Sequence, residues 1–152
     1  MSYAQSVLQP GEQIILLGRL HWIAYWQAIA FLVVGTVLVW WEWTRGFNQV
    51  LILGTALTFG VLFVAAFAHA WFIRWITEFA VTNRRVISKR GFINRQTAEM
   101  NMDKVESVQV DQSVLGRLLD YGTIEVRGTG QGLEPIKHIA SPIAFRNAIT
   151  AK

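Results

Sequence analysis

Two uninterrupted apolar runs set the terms for this chain, one over residues 22–43 and one over 50–76. In the first, Gln27 and Glu42 are the only strongly polar side chains. Between Val50 and Ile73 there is no charge at all, and His69 is the one ionisable group. At about 1.5 Å of rise per residue, each run is long enough as a helix to cross a hydrocarbon layer about 30 Å thick. Only Thr44-Arg45-Gly46-Phe47-Asn48-Gln49 separates them, which forces an antiparallel pair, with Gly46 placed to end the first helix. All seven tryptophans fall at the ends of the runs. Trp40, Trp41 and Trp43 stand at the turn, and Trp22, Trp26, Trp71 and Trp75 at the open end. These are the two levels at which indole rings serve as interfacial anchors. Two core helices of a soluble domain have no reason to sort tryptophan in this way, so we expect a transmembrane α-helical hairpin.

Outside residues 22–76 there remain an N-terminal lead-in over 1–21 and a stretch over 77–152, the latter close to the lower size of a domain with its own core. The chain is 53% hydrophobic and only 16% charged, on the apolar side of ordinary usage. Of its fourteen Lys and Arg residues, only Arg19 and Arg45 precede Arg74, so the other twelve follow the second run or close it. In the lead-in, Glu12 offsets Arg19. Cationic flanks tend to stay in the cytoplasm, so the C-terminal domain is expected there, and so, after an even number of crossings, is the N-terminus. A cleaved signal peptide is not expected, because the first run is too long, lacks a basic n-region and is followed by no small-residue cleavage site. The absence of cysteine excludes disulfides and thiolate metal sites.

Along the chain, Pro10-Gly11-Glu12 signals a turn, and Ile14-Ile15-Leu16-Leu17 after it reads either as a strand or as an interfacial segment. Within the spans, Ala56-x-x-x-Gly60 and Ala66-x-x-x-Ala70 offer small residues for close helix contact. His69 reads as an interfacial histidine rather than a proton relay, since neither span supplies an ionisable partner. After Ile76 the period changes to two. Residues 78–82 and 86–90 read as a hairpin about Asn83-Arg84-Arg85, and 92–100 as a third strand. Residues 103–106 read as one helical turn. In 107–111, Val108 and Val110 face inward. Val114/Leu118 and Leu115/Leu119 stand four apart and predict a short amphipathic helix. Residues 123–127 and 136–140 complete the strands, and Ser141-Pro142 opens a final helix with Phe145 and Ile149 on one face.

Several strings carry a resemblance: Val81-Thr82-Asn83-Arg84-Arg85-Val86-Ile87, Arg90-Gly91-Phe92, Met102-Asp103-Lys104-Val105-Glu106-Ser107-Val108, and above all Asp111-Gln112-Ser113-Val114-Leu115-Gly116-Arg117-Leu118-Leu119-Asp120-Tyr121-Gly122-Thr123. With the preceding hairpin they resemble the bacterial pleckstrin-homology (PH-like) domain family, the YdbS-like two-span membrane proteins. The resemblance covers residues from 74 onward. It implies a small α+β PH-like antiparallel β-barrel or sheet closed by the C-terminal helix, with its edge completed by the N-terminal segment or by a neighbouring subunit. It also implies a multi-pass protein of the bacterial inner membrane.

The best candidate for a binding surface is the basic cluster Arg84, Arg85, Lys89, Arg90 and Arg95. Each cation near an anionic leaflet contributes about 1 kcal/mol, and the resemblance adds that PH domains use their first hairpin loop to grip lipid phosphates. Ordinary positive-inside charge accounts for the same residues. Gly128-Thr129-Gly130-Gln131-Gly132 fails as a phosphate loop, because Pro135 and a strand follow where a helix is required. Asp103, Glu106 and Asp111 lack ligand spacing, and His21 and His138 lack a nucleophile. No catalytic residue, metal, cofactor or small-molecule substrate is expected, and no nucleic acid, since the cations lack interleaved aromatics. The expectation is a non-catalytic, membrane-anchored interaction or scaffolding module. Its partners would be membrane lipids and either a second copy or another membrane protein. The alternatives are an anionic-phospholipid sensor using the basic hairpin and, resting on His69, an accessory subunit of a transporter or channel.

Overall fold

The computed structural model describes residues 3–91, 96–129 and 132–151. The chain forms two compact units, one made of Met1–His21 with Ile73–Lys152 and the other of Trp22–Phe72. The first is therefore discontinuous in sequence, and the lead-in belongs to it.

The helical unit follows from the apolar runs. A 3-10 turn (Trp22–Tyr25) leads into α2 (Trp26–Thr44), and α3 (Gln49–Ile76) returns. By length and composition both are able to cross a membrane. Gly46 adopts φ 68° and ends α2 as expected, while Phe47 N–H closes onto the Glu42 carbonyl at 3.2 Å. Asn48 then starts α3, its Oδ1 accepting from Val50 N–H at 3.0 Å. The buried residues of α2 are Ala28, Gly35 and Glu42, seven apart, a single seam along the helix. Three rungs tie that seam to α3. Tyr25 stacks on Phe67 at 5.1 Å. Gly35 lies so close to Phe59 that an added Cβ would come within 2.5 Å of the Phe59 Cβ. Thr55 Oγ1 donates to Glu42 Oε1 at 2.8 Å. Outside the seam the 3-10 turn, α2 and α3 are covered with exposed Val, Leu, Ile, Phe and Trp, including all seven tryptophans. Of the two small-residue pairs, Ala70 is buried, whereas Gly60 has nothing within 4 Å of an added Cβ.

Among the described residues the other unit forms two antiparallel sheets, which agree with the antiparallel sheet the resemblance implied. In spatial order the larger runs Ile14–Gly18, Glu78–Thr82, Arg85–Arg90, Gln96–Asn101, and the smaller Val105–Asp111, Tyr121–Gly128, Ile136–Ala140. Residues Ile14–Gly18 form β1, which pairs with β2 (Glu78–Thr82) and so answers the question left open for this segment. β3 (Arg85–Arg90) and β4 (Gln96–Asn101) follow, then a 3-10 turn (Met102–Lys104) and β5 (Val105–Asp111). Next come the short helix α4 (Val114–Leu118), β6 (Tyr121–Gly128), β7 (Ile136–Ala140) and α5 (Pro142–Thr150). At the N-terminus a single turn, α1 (Tyr3–Ser6), lies beside β2. Past β1 the chain crosses to the second sheet. Leu20 bridges Ile139, His21 N–H donates to the His138 carbonyl at 2.6 Å, and Ala140 N–H donates to the Arg19 carbonyl at 2.9 Å. One N-terminal segment thus borders both sheets.

Alternation decides which side chains go inside. Phe79, Val81, Val86 and Met100 from the first sheet meet Ile124, Val126, Ile136 and Ile139 from the second, and α5 closes the core with Phe145 and Ile149. Val108 and Val110 pack against it from β5, as their spacing predicts. Phe145 meets Phe79 with ring centroids 4.7 Å apart. Ser141 does precede α5, but it does not cap it. It sits in the left-handed region at φ 50°, and its hydroxyl instead donates to Asp120 Oδ2 at 2.5 Å.

Candidate functional site

The basic hairpin divides into residues with different tasks. Arg84 is exposed at the β2–β3 turn, but Arg85 turns inward, with its side chain 11% exposed. Its Nε and Nη2 donate to Glu12 Oε1 and Oε2, both at 2.9 Å, in a bidentate pair. Nη1 reaches Glu99 Oε2 at 2.6 Å, and Nη2 also reaches the Val7 carbonyl at 2.8 Å. The Glu12 side chain is fully buried, and its oxygens accept two further bonds, from Thr82 Oγ1 at 2.7 Å and Gln9 N–H at 2.8 Å. The Arg85 guanidinium, helped by the Gln9 amide and the Thr82 hydroxyl against the cost of burial, holds the Glu12 carboxyl at about 2. Glu12 in turn raises the pKa of Arg85. The partner of Glu12 is thus Arg85, 73 residues away. Asn83 fastens the same junction, accepting from Gln13 N–H at 3.0 Å and donating to the Gln13 carbonyl at 3.1 Å.

Lys89 stands opposite Glu78 across β2 and β3, and Arg90 ends β3. Arg95 lies outside the described residues, as do Phe92, Gly130 and Gln131. Because β1 precedes the helical unit, the turn carrying Arg84 and Arg85 is the second connection of the sheet, not its first. The first connection is the helical unit itself. A cleft of about 340 Å³ beside Arg84 is lined by Gln9, Asn83, Asn101, Met102 and Asp103. Among the described residues, no group of three or more His, Asp or Glu side chains is placed to hold a metal.

A second corner lies at the opposite end of the strands. His21 stacks on Tyr121 with centroids 5.4 Å apart, and Tyr121 faces His138 at 6.2 Å. Burial lowers the pKa of both histidines. Asp120 and the Leu119 carbonyl, hydrogen-bonded to the ring, oppose this at His21, while Arg74 and His138 add to it; Lys137 adds to it at His138. Three residues other than glycine here take left-handed backbone conformations: Asp120 at φ 55°, His138 at φ 58° and Ser141 at φ 50°. Such strain persists only where the surroundings over-determine it. The Asp120 carbonyl accepts from Ser141 N–H at 2.9 Å, joining the end of α4 to the start of α5.

In α4 the expected apolar pairs are present, but turned outward. Val114 is 76% exposed, Leu115 61% and Leu118 76%, and Leu119 just beyond the helix is exposed too. The residue facing the sheet is Gly116, where an added Cβ would come within 2.7 Å of the Tyr121 carbonyl oxygen. Spacing alone found this helix. It could not tell which side faces the sheet.

Among the described residues, two antiparallel sheets, of four and three strands, and a C-terminal helix fit a PH-like fold. The bacterial PH domain family matches residues 13–151, and the chain belongs to that family. The match begins just before β1 and runs across both units. No curated protein and no solved structure matches the chain.

Proposed function

We propose that this protein is a non-catalytic, membrane-anchored interaction module of the bacterial inner membrane. The helical unit crosses the bilayer twice, both termini remain in the cytoplasm, and the PH-like unit presents a docking surface for protein assembly. The observation that carries this reading is the insertion of two long apolar helices, their outward faces covered with exposed apolar side chains, into the first connection of a PH-like sheet. Tryptophans at both levels of the pair support it. Homo-oligomerisation is favoured by the open groove of about 250 Å³ along Leu32, Gly35, Ala56 and Gly60. Because the chain has no cysteine, introduced thiols report topology cleanly. In intact cells Asn48→Cys is expected to react with a membrane-impermeant maleimide and Thr129→Cys to be protected. Reaction at Thr129 from outside, or release of the protein by carbonate washing, would overturn the reading. Cross-linking after detergent extraction is expected to recover either a dimer or a defined protein partner.

The second reading, recognition of anionic headgroups, is favoured by the exposed Arg84 and its cleft. Against it, Arg85 is committed to Glu12 and Glu99. The turn also sits at the far end of β2 from the junction with α3, about 17 Å along a five-residue strand. Anionic lipid that co-purifies with the protein and is lost in Arg84→Ala would restore this reading.

A further inference from the structure

We propose that α4 is a lipid-contacting foot of the sheet unit. In this arrangement Val114, Leu115, Leu118 and Leu119 enter the interfacial layer of the membrane, and Arg117 stays at headgroup level. The proposal rests on the membrane-anchored reading above. A short helix on a sheet ordinarily turns its apolar stripe inward. Here the inward position is held by Gly116, and the four apolar side chains point away from the protein. This is a built orientation rather than a loose turn. Ser113 caps the helix by accepting from Gly116 N–H at 3.1 Å, and Gln112 Nε2 donates to the Tyr121 carbonyl at 3.1 Å. The lack of room for a Cβ at Gly116 prevents the helix from rolling over to bury its leucines.

Location identifies the occupant as lipid. His21, the last residue before the helical unit, stacks on Tyr121 and is hydrogen-bonded to the Leu119 carbonyl at the end of α4. Arg74, two residues past the end of that unit at Phe72, acts electrostatically on the same imidazole. The chain therefore leaves for the helices, and comes back from them, at the corner where α4 displays its leucines. Ile143, two residues beyond the Ser141 that bonds Asp120, adds another exposed apolar side chain there. Arg117 suits such a site, since its apolar stem packs along lipid while the guanidinium remains in water.

The full-length chain, carrying one introduced cysteine at a time, tests this. Leu118→Cys, Leu115→Cys, Val61→Cys in the middle of α3, and Thr129→Cys just past the far end of β6 are labelled with a polarity-sensitive fluorophore. Each is reconstituted into vesicles of phosphatidylethanolamine and phosphatidylglycerol. The labels at Leu118 and Leu115 are expected to lose emission to a quencher carried near the top of the lipid chains and to resist aqueous iodide, with Thr129 behaving in the opposite way. Iodide quenching at Leu118 and Leu115, with lipid quenching retained at Val61, overturns the foot and leaves the anchor standing. Iodide quenching at Val61 overturns both. Equal lipid quenching at Thr129 overturns the foot, because contact would not be particular to α4. Shielding of Leu118 from both quenchers also overturns it, and recovery of iodide access on dilution in lipid would assign the patch to a second copy of the chain.

Discussion

Glu12 gives up its hydration entirely and receives four hydrogen bonds in exchange, two of them from Arg85. Removing one partner of a buried pair leaves the other charge uncompensated and costs about 3–5 kcal/mol, whereas replacing both with apolar residues is often close to neutral. Arg85→Ala and Glu12→Ala are therefore each expected to lower the melting temperature sharply, and Glu12→Leu combined with Arg85→Met to recover most of the loss. Thermal unfolding in detergent followed by near-ultraviolet circular dichroism measures this. If the single and double variants melt alike, the pair does not hold the junction. The pH dependence follows from the same contact. The Glu12 pKa falls from 4.5 to about 2 on folding, so its contribution is complete above about pH 4.5 and drains away as pH falls towards 2. Glu12→Gln should flatten that part of the stability curve. The two histidines act in a higher window. Their pKa values are lowered on folding from 6.5, so protonation opposes folding, and stability should begin to fall as pH drops below about 6.5. His21→Phe, which keeps a ring against Tyr121, is expected to reduce that dependence.

Close approaches between elements rest on glycines, and these give the sharpest predictions at the element scale. At Gly18 an added Cβ would meet Phe145 Cε2 at 2.9 Å, so β1 passes over α5 only because nothing projects there. Gly18→Val is expected to cost about 1–3 kcal/mol by overpacking, read as a lower melting temperature of the sheet unit. Gly35→Leu should instead force α2 away from Phe59 and lower the yield of protein that stays monodisperse in detergent. Legibility in the sequence differed by element for physical reasons. The apolar runs, the Gly46 stop, the alternating strands and the Phe145/Ile149 face could be read because length, turn chemistry and period are local properties. The orientation of α4 was hidden, because a period of four is the same whether leucines face a core or point away from it. The role of Glu12 was hidden for another reason: no local pattern marks a bond to a residue 73 positions further on. Ser141 misled, since its hydroxyl turned from the amides of α5 to Asp120.

At the scale of the molecule, a core drawn from Met1–His21 and Ile73–Lys152 makes the sheet unit dependent on both segments. Residues 77–152 alone lack β1, leave the edge of β2 unpaired and strip Arg85 of Glu12, and they are expected to aggregate. Met1–His21 joined to Ile73–Lys152 through a flexible glycine-serine linker is expected to fold, with a cooperative thermal transition and dispersed amide resonances. Failure of the joined chain under conditions where the full-length protein folds would show that the helical unit contributes more than connection. The same interrupted topology bears on biogenesis. During synthesis Ile14–Gly18 emerges well before Glu78–Thr82, and on the proposed membrane-anchored reading its ladder cannot close until the intervening hairpin has gone out and come back. A polypeptide whose second crossing failed would strand the two strands on opposite faces of the bilayer, leaving β1 and β2 unzipped and visible to proteases. Completion of this small sheet would then act as the cell's own proof-reading of correct insertion.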